Sequence, residues 1–270
     1  VKTIFKAVAL AISLSVLLLS STQHSRGTIP AAHSDAARLV EAQLPYEEIN
    51  AYYDGTKWVS GATQCDGSRE VTIVKPIGKS ETAIRVTTFP KSAPQQKTEL
   101  TLRRKGDPDC GMMKCFSTYV APGSRQRYVI MESNYRDEEA YWIHGVWVGK
   151  GKAAENKMDE CRWLERARVA LITDARSIYV TQTEAGGLEY QSYNHKGAGA
   201  EPSTVVKDGK QALDSARGIE SFTFTNGEFT YVVNVGTTEK HPFAEVLVKK
   251  NGATIQKEHC LVYSYSRKSS

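Results

Sequence analysis

FTFTNGEFTYVVNV, residues 222–235, sets aromatic and β-branched residues at alternating positions on either side of Asn226-Gly227. An Asn-Gly pair favours the positive φ that a type I′ turn needs, because glycine carries no Cβ penalty there. Pairing outward from that turn puts Phe224 opposite Phe229 and Phe222 opposite Tyr231, an aromatic ladder on one face. The same device recurs along the chain. LVKKNGATIQ (247–256) turns at Asn251-Gly252 with Val248 facing Ile255, TQCDGSREVTIV (63–74) turns at Asp66-Gly67, and IYVTQTEAGGLEYQSY (178–193) turns at Gly186-Gly187. Hairpin after hairpin predicts an all-β fold, mainly antiparallel, closed as a barrel or a sandwich, and argues against a βαβ fold with a parallel sheet.

Outward from the hairpins, helical spacing occurs at one place, near the N-terminus. Ser34 caps SDAARLVEAQL, whose Ala36, Leu39, Val40 and Leu44 share a helical face until Pro45 stops it. Residues 23–45 therefore read as a lead-in segment with a short helix. GKGKAAENKMDE (149–160) holds no apolar residue except Ala and Met, and reads as a linker or a long surface loop. It divides the remainder into two expected β-domains, 46–150 and 158–266. The polar stretch from Gly197 to Gly218 reads as a long loop with at most one helical turn.

Residues 1–22 have the layout of a secretory signal peptide: Lys2 and Lys6, an apolar run from Ala7 to Leu19, then Ser20, Ser21 and Thr22. The run is shorter than the roughly 18 residues of a spanning helix, so no stable membrane span is expected after signal removal. No cysteine follows it to carry a lipid. Val1 reads as a literally translated alternative start codon, which points to a bacterial gene. The expected location is the periplasm or the cell exterior. Removal of Lys2 and Lys6 lowers the 35 basic residues to 33, against 30 acidic. That balance offers no argument for a nucleic-acid partner. The clusters at Arg103-Arg104-Lys105, Arg125 with Arg127, and Arg162, Arg166 and Arg168 are mostly interleaved with acids and read as solvated surface.

Export puts the five cysteines, Cys65, Cys110, Cys115, Cys161 and Cys260, in an oxidising compartment. Cys161 and Cys260 stand at the two ends of the second β-segment, so a bridge between them is expected to tie its last strand to its first. Of the other three, Cys110 with Cys115 closes the smallest loop, and Cys65 with Cys115 is the rival. DPDCGMMKC (107–115) does not suit a metal. Its C-x4-C spacing differs from the zinc knuckle, and the other close pair, His259-Cys260, points to opposite faces of a strand. Asp107 and Asp109 also work against a thiolate there. No metal or cofactor is expected.

Catalytic motifs are missing from the sequence after residue 22: it has no G-x-S-x-G, S-x-x-K or H-E-x-x-H. IGKS (77–80) lacks the leading glycine of a phosphate loop, with Ile73 in its place. Cys110 and His144 would suit the thiol and base of an L,D-transpeptidase, but the serine-histidine-glycine run before that family's cysteine is absent. YWIHGVWVG (141–149) offers a possible ligand platform, Tyr141, Trp142, His144 and Trp147, whose rings suit stacking on sugars if exposed. Apolar residues on both alternating faces favour a buried strand instead. QCDGSREVTI (64–73) resembles the opening strand of periplasmic C-type lysozyme inhibitors, where a cysteine and an Asp-Gly turn precede a strand of a small barrel. Their serine-glycine-aromatic motif is not matched, since Ser60-Gly61 leads into Ala-Thr-Gln. The expected function is that of an exported, disulfide-containing, non-catalytic β-protein that binds an envelope component or a partner protein. The alternatives are a cell-envelope hydrolase or transferase with a scattered or Cys-His site, and a secreted effector.

Overall fold

The computed structural model describes residues 46–78, 82–111, 114–123, 127–133, 143, 146–151, 154, 158–196 and 200–268. The signal-peptide segment and the helix expected at 34–44 lie outside the described residues. All three sheets are antiparallel, and one is nearly barrel-shaped.

The barrel sheet takes its strands almost in chain order: β3 (Thr63–Asp66), β4 (Glu70–Pro76), β5 (Ala83–Pro90), β6 (Thr98–Arg104), β8 (Lys114–Val120), β9 (Arg127–Ser133), β10 (Val146–Lys150) and β11 (Met158–Glu160). A short β7 (Asp109–Gly111) pairs onto β8. The central sheet runs β15 (Thr204–Val206), β14 (Leu188–Asn194), β13 (Arg176–Gln182), β12 (Ala167–Thr173), β21 (Cys260–Lys268), β1 (Tyr46–Tyr53), β2 (Trp58–Ser60). The third is a simple meander of β16 (Lys210–Asp214), β17 (Ile219–Asn226), β18 (Phe229–Gly236), β19 (Ala244–Lys250) and β20 (Ala253–Glu258).

The central sheet is buried on both faces. Val169, Leu171 and Tyr263 on one face meet Phe222, Phe224 and Val233 of the meander. Ile172 and Val262 on the other meet Val71, Ile73 and Phe89 of the barrel. A strand covered on both sides has no solvent face to alternate with, which is why ARVALIT and CLVYSYS carry so little charge. Inside the barrel, Val74, Val86, Leu102 and Ile130 form a separate core.

The barrel closes where β3 comes beside β10. Cys65 of β3 is bonded to Cys161, just past β11, across a sequence separation of 96. The Arg162 amide donates to the Asp66 carbonyl at 2.9 Å, extending the seam. The expected Cys161–Cys260 bridge is therefore replaced. Cys260 is a free, buried thiol in the core between the central sheet and the meander. The two residues are ends of a segment in sequence, but Cys161 stays on the barrel while Cys260 opens a strand of the central sheet. Cys110 and Cys115 are bonded to each other from directly opposite positions on β7 and β8.

Turn details also differ from expectation. In the deciding hairpin Asn226 pairs with Phe229 and Phe224 with Tyr231, so the loop is Gly227-Glu228. Positive φ falls on Gly227 (59°) and not on Asn226, as a type II′ turn wants. Sliding the loop by one residue changes each partner by two, so the aromatic faces are preserved. Asn251 (49°) and Gly252 (83°) do both have positive φ. There a register shift between Val248 and Lys249 sets Val248 opposite Gln256, leaving Ile255 out of the pairing. Asp66 is a paired strand residue opposite Val71. The stretch 197–218 contains β15 and β16, short strands at free sheet edges, where pairing on one side suffices for a polar sequence. Within 149–160, residues 149–150 end β10 and 158–160 form β11.

Candidate functional site

YYDGTKW, residues 52–58, builds the first wall of a cleft. Tyr53 and Trp58 are cross-strand partners at the end of the β1–β2 hairpin. The Asp54 carboxylate closes the turn by accepting from the amides of Thr56 and Lys57, each at 2.9 Å, and from the Thr56 hydroxyl at 2.8 Å. These bonds hold its pKa down at about 2. Gly55 (φ 104°) supplies the backbone that the turn requires.

The hairpin thereby presents two rings side by side, with centroids 5.7 Å apart. Trp58 rests edge-on against the buried Tyr263 at 5.3 Å, and Tyr53 meets the His259 ring edge-on at 5.7 Å. The second wall comes from the meander, through Phe243, Ala244, Lys257 and Glu258. Together with Gly55, His259 and Cys260 these residues enclose a cleft of about 540 Å³. That volume lies in the range of small-molecule sites, and its mixture of rings with a few polar groups is their usual lining.

Each charged side chain that lines the cleft already has a counter-ion. Lys257 Nζ lies 2.7 Å from Glu245 Oε1, and this hydrogen bond raises the lysine pKa while lowering the glutamate's. Glu258 is buried, paired with Arg176 at 3.0 Å and accepting from the Thr173 hydroxyl at 2.8 Å. His259 Nδ1 lies 2.5 Å from Asp174 Oδ2, and Lys97 Nζ lies 2.9 Å from the other oxygen of Asp174. Burial pushes the Asp174 pKa up, but its bonds to Lys97 and His259 outweigh that and lower it. At the cleft floor, burial first and the Glu258 charge second push the Cys260 thiol up to about 12. It is protonated at neutral pH and offers no nucleophile.

The residues expected from sequence are distributed elsewhere. Trp147 lies half-buried on β10, edge-on to Trp163 at 5.8 Å, with Lys114 Nζ 5.6 Å from its ring centroid. Tyr141, Trp142 and His144 lie outside the described residues. Cys110 is consumed in its disulfide and supplies no thiol to a Cys-His pair. The cleft residues were missed because Tyr53 and Trp58 meet Phe243 and His259 only through sheet packing. One local signal was present: aromatics flanking an Asp-Gly turn in YYDGTKW.

A second polar cluster, at the seam between barrel and central sheet, is enclosed. Asp66 is paired with Lys91 at 2.6 Å and Arg162 at 3.2 Å, and accepts from the Tyr179 hydroxyl at 3.1 Å. The cavity beside it is about 30 Å³, the space of a single water. Among the described residues, no group of three or more His, Cys, Asp or Glu is placed to hold a metal, and no helix is long and apolar enough to cross a membrane.

No family model matches the chain, and no curated protein matches it. Among solved structures, the WD40 domain of Toxoplasma gondii coronin aligns over 84% of this chain and 87% of that one, with 8% identity and a TM-score of 0.19. A similarity that weak carries no argument about fold or function.

Proposed function

We propose that this chain is an exported, non-catalytic β-protein of a bacterial periplasm or cell exterior, which binds an envelope component or a partner protein through the Tyr53–Trp58 cleft. One observation carries the reading: the cleft is lined by aromatic rings and already-paired charges, and its only thiol is held protonated. Such a surface is suited to holding a ligand and poorly suited to attacking one. The two disulfides support an oxidising compartment outside the cytoplasm.

The test is retention of the purified protein on cell-envelope fractions. Tyr53→Leu keeps apolar bulk and removes the ring, and should cut retention at least about tenfold, the equivalent of about 1.4 kcal/mol. Equal retention of the two proteins would remove the cleft from the proposal. A second reading rests on the Asp174–His259 pair at the cleft edge, which has the geometry of an oriented general base in an envelope hydrolase. Under that reading, hydrolysis of envelope polymer by the wild type would vanish in His259→Ala.

A further inference from the structure

We infer that the ligand of the Tyr53–Trp58 cleft is a neutral saccharide. This rests on the binding reading above and names its chemical class. The first argument is charge. Lys257, Glu258 and His259 are the acidic and basic side chains that line the cleft, and each is engaged by Glu245, Arg176 or Asp174. An anionic or cationic ligand would find no uncompensated partner and would lose hydration on entry. A neutral ligand has no such cost.

The second argument is the kind of surface. Tyr53 and Trp58 on one wall and Phe243 on the other offer apolar ring area, and the Lys257 ammonium and the His259 imidazole, with the Asp174 carboxylate behind it, add polar groups beside those rings. A pyranose ring suits such a mixed lining, with a C–H face that covers aromatic carbon and hydroxyls at its edge that donate and accept. With Nδ1 of His259 directed at Asp174, its Nε2 is left to the ring hydroxyls. The cleft volume of about 540 Å³ has room for more than one such ring.

Competing occupants fit less well. An acyl chain needs an apolar enclosure throughout, and half of this lining is polar. An extended peptide would add to the free edge of β20, but that strand carries a register shift beside Ile255 and a lysine at 257, two devices that oppose strand addition.

The experiment is isothermal titration calorimetry of the full-length exported protein with cellotriose, maltotriose and tri-N-acetylchitotriose, alongside sodium polyphosphate and spermidine as charged probes. At least one neutral trisaccharide should bind, and Tyr53→Leu and Lys257→Ala should each weaken it at least about tenfold. Thermal unfolding of both variants should match the wild type, since Tyr53 is half-buried and Lys257 exposed. If no trisaccharide binds while envelope fractions still retain the protein in a Tyr53-dependent way, the saccharide inference falls and the binding reading stands. If neither occurs, both fall. Binding of a charged probe in the cleft, lost in Tyr53→Leu, would also overturn the inference.

Discussion

Asp66 carries its carboxylate into the seam between barrel and central sheet, where Lys91, Arg162 and Tyr179 converge on it. Lys91 and Asp66 are both almost wholly buried, at 3% and 2% side-chain exposure. Asp66→Ala would leave two cations in that seam without their partner, and should cost roughly 3–5 kcal/mol in urea unfolding. His195 lies close by, with Nε2 3.2 Å from the Ser177 hydroxyl. Burial holds its pKa below the ordinary 6.5; the Asp66 charge opposes this and the Lys91 charge adds to it. As pH falls through about 6.5 the unfolded chain takes up a proton that folded His195 refuses, so stability is lost until the folded pKa is reached. His195→Gln should therefore flatten the fall in urea midpoint that sets in below about pH 6.5, and an unchanged slope would show that His195 is not its source. Gly209 illustrates a different constraint. A Cβ there would stand 2.2 Å from Phe224 Cε1, so Gly209→Val should be overpacked and lose more than about 1 kcal/mol despite lying between the exposed Asp208 and Lys210.

At the scale of elements, the Cys65–Cys161 bridge ties the first strand of the barrel sheet to the residue just past its last. Closing a loop of 96 residues restricts the unfolded chain strongly. Replacing both cysteines with Ala should lower stability by roughly 2–5 kcal/mol. Non-reducing peptide mapping should recover 65 with 161 and 110 with 115, and iodoacetamide should label Cys260 only after denaturation. Rapid native labelling of Cys260 would contradict its burial. In the hairpin 219–236, Phe224 is fully buried, whereas Phe229 is half-buried near the turn with Lys250 Nζ 5.5 Å from its ring centroid. Phe224→Ala should cost roughly 3–5 kcal/mol and Phe229→Ala clearly less, as denaturant unfolding of the two variants would show.

The whole molecule depends on one shared layer. The central sheet packs on the meander through one face and on the barrel through the other, and its inner strand β21 lies between β12 and β1. Tyr46–Tyr53 pairs along nearly the whole of Cys260–Lys268, so the beginning and end of the described chain complete the same layer. Loss of that sheet would strip apolar cover from both neighbours. Calorimetry should accordingly show one cooperative thermal transition. Two well-separated transitions would instead mean that the barrel unfolds independently of the central sheet and meander, each able to keep its own core.

The all-β character was determined by the sequence alone, because turn chemistry and two-residue alternation are local properties. Asn251-Gly252 could be read directly as a turn with two positive φ angles, and Phe222 and Phe224 as one face, since both follow from backbone sterics within a few residues. The sequence left Cys110–Cys115 open beside its rival Cys65–Cys115, and the pairing of β7 with β8 sets Cys110 opposite Cys115. The partner of Cys161 was not legible, because barrel closure brings together residues 96 positions apart, and chain spacing cannot distinguish them from another distant pair. Nor was the cleft. Its walls come from residues near 53–58 and 243–260, and only the packing of the meander against the central sheet places Phe243 and His259 beside Tyr53 and Trp58. Local sterics write the strands and turns into the sequence, whereas the site depends on which distant faces bury each other.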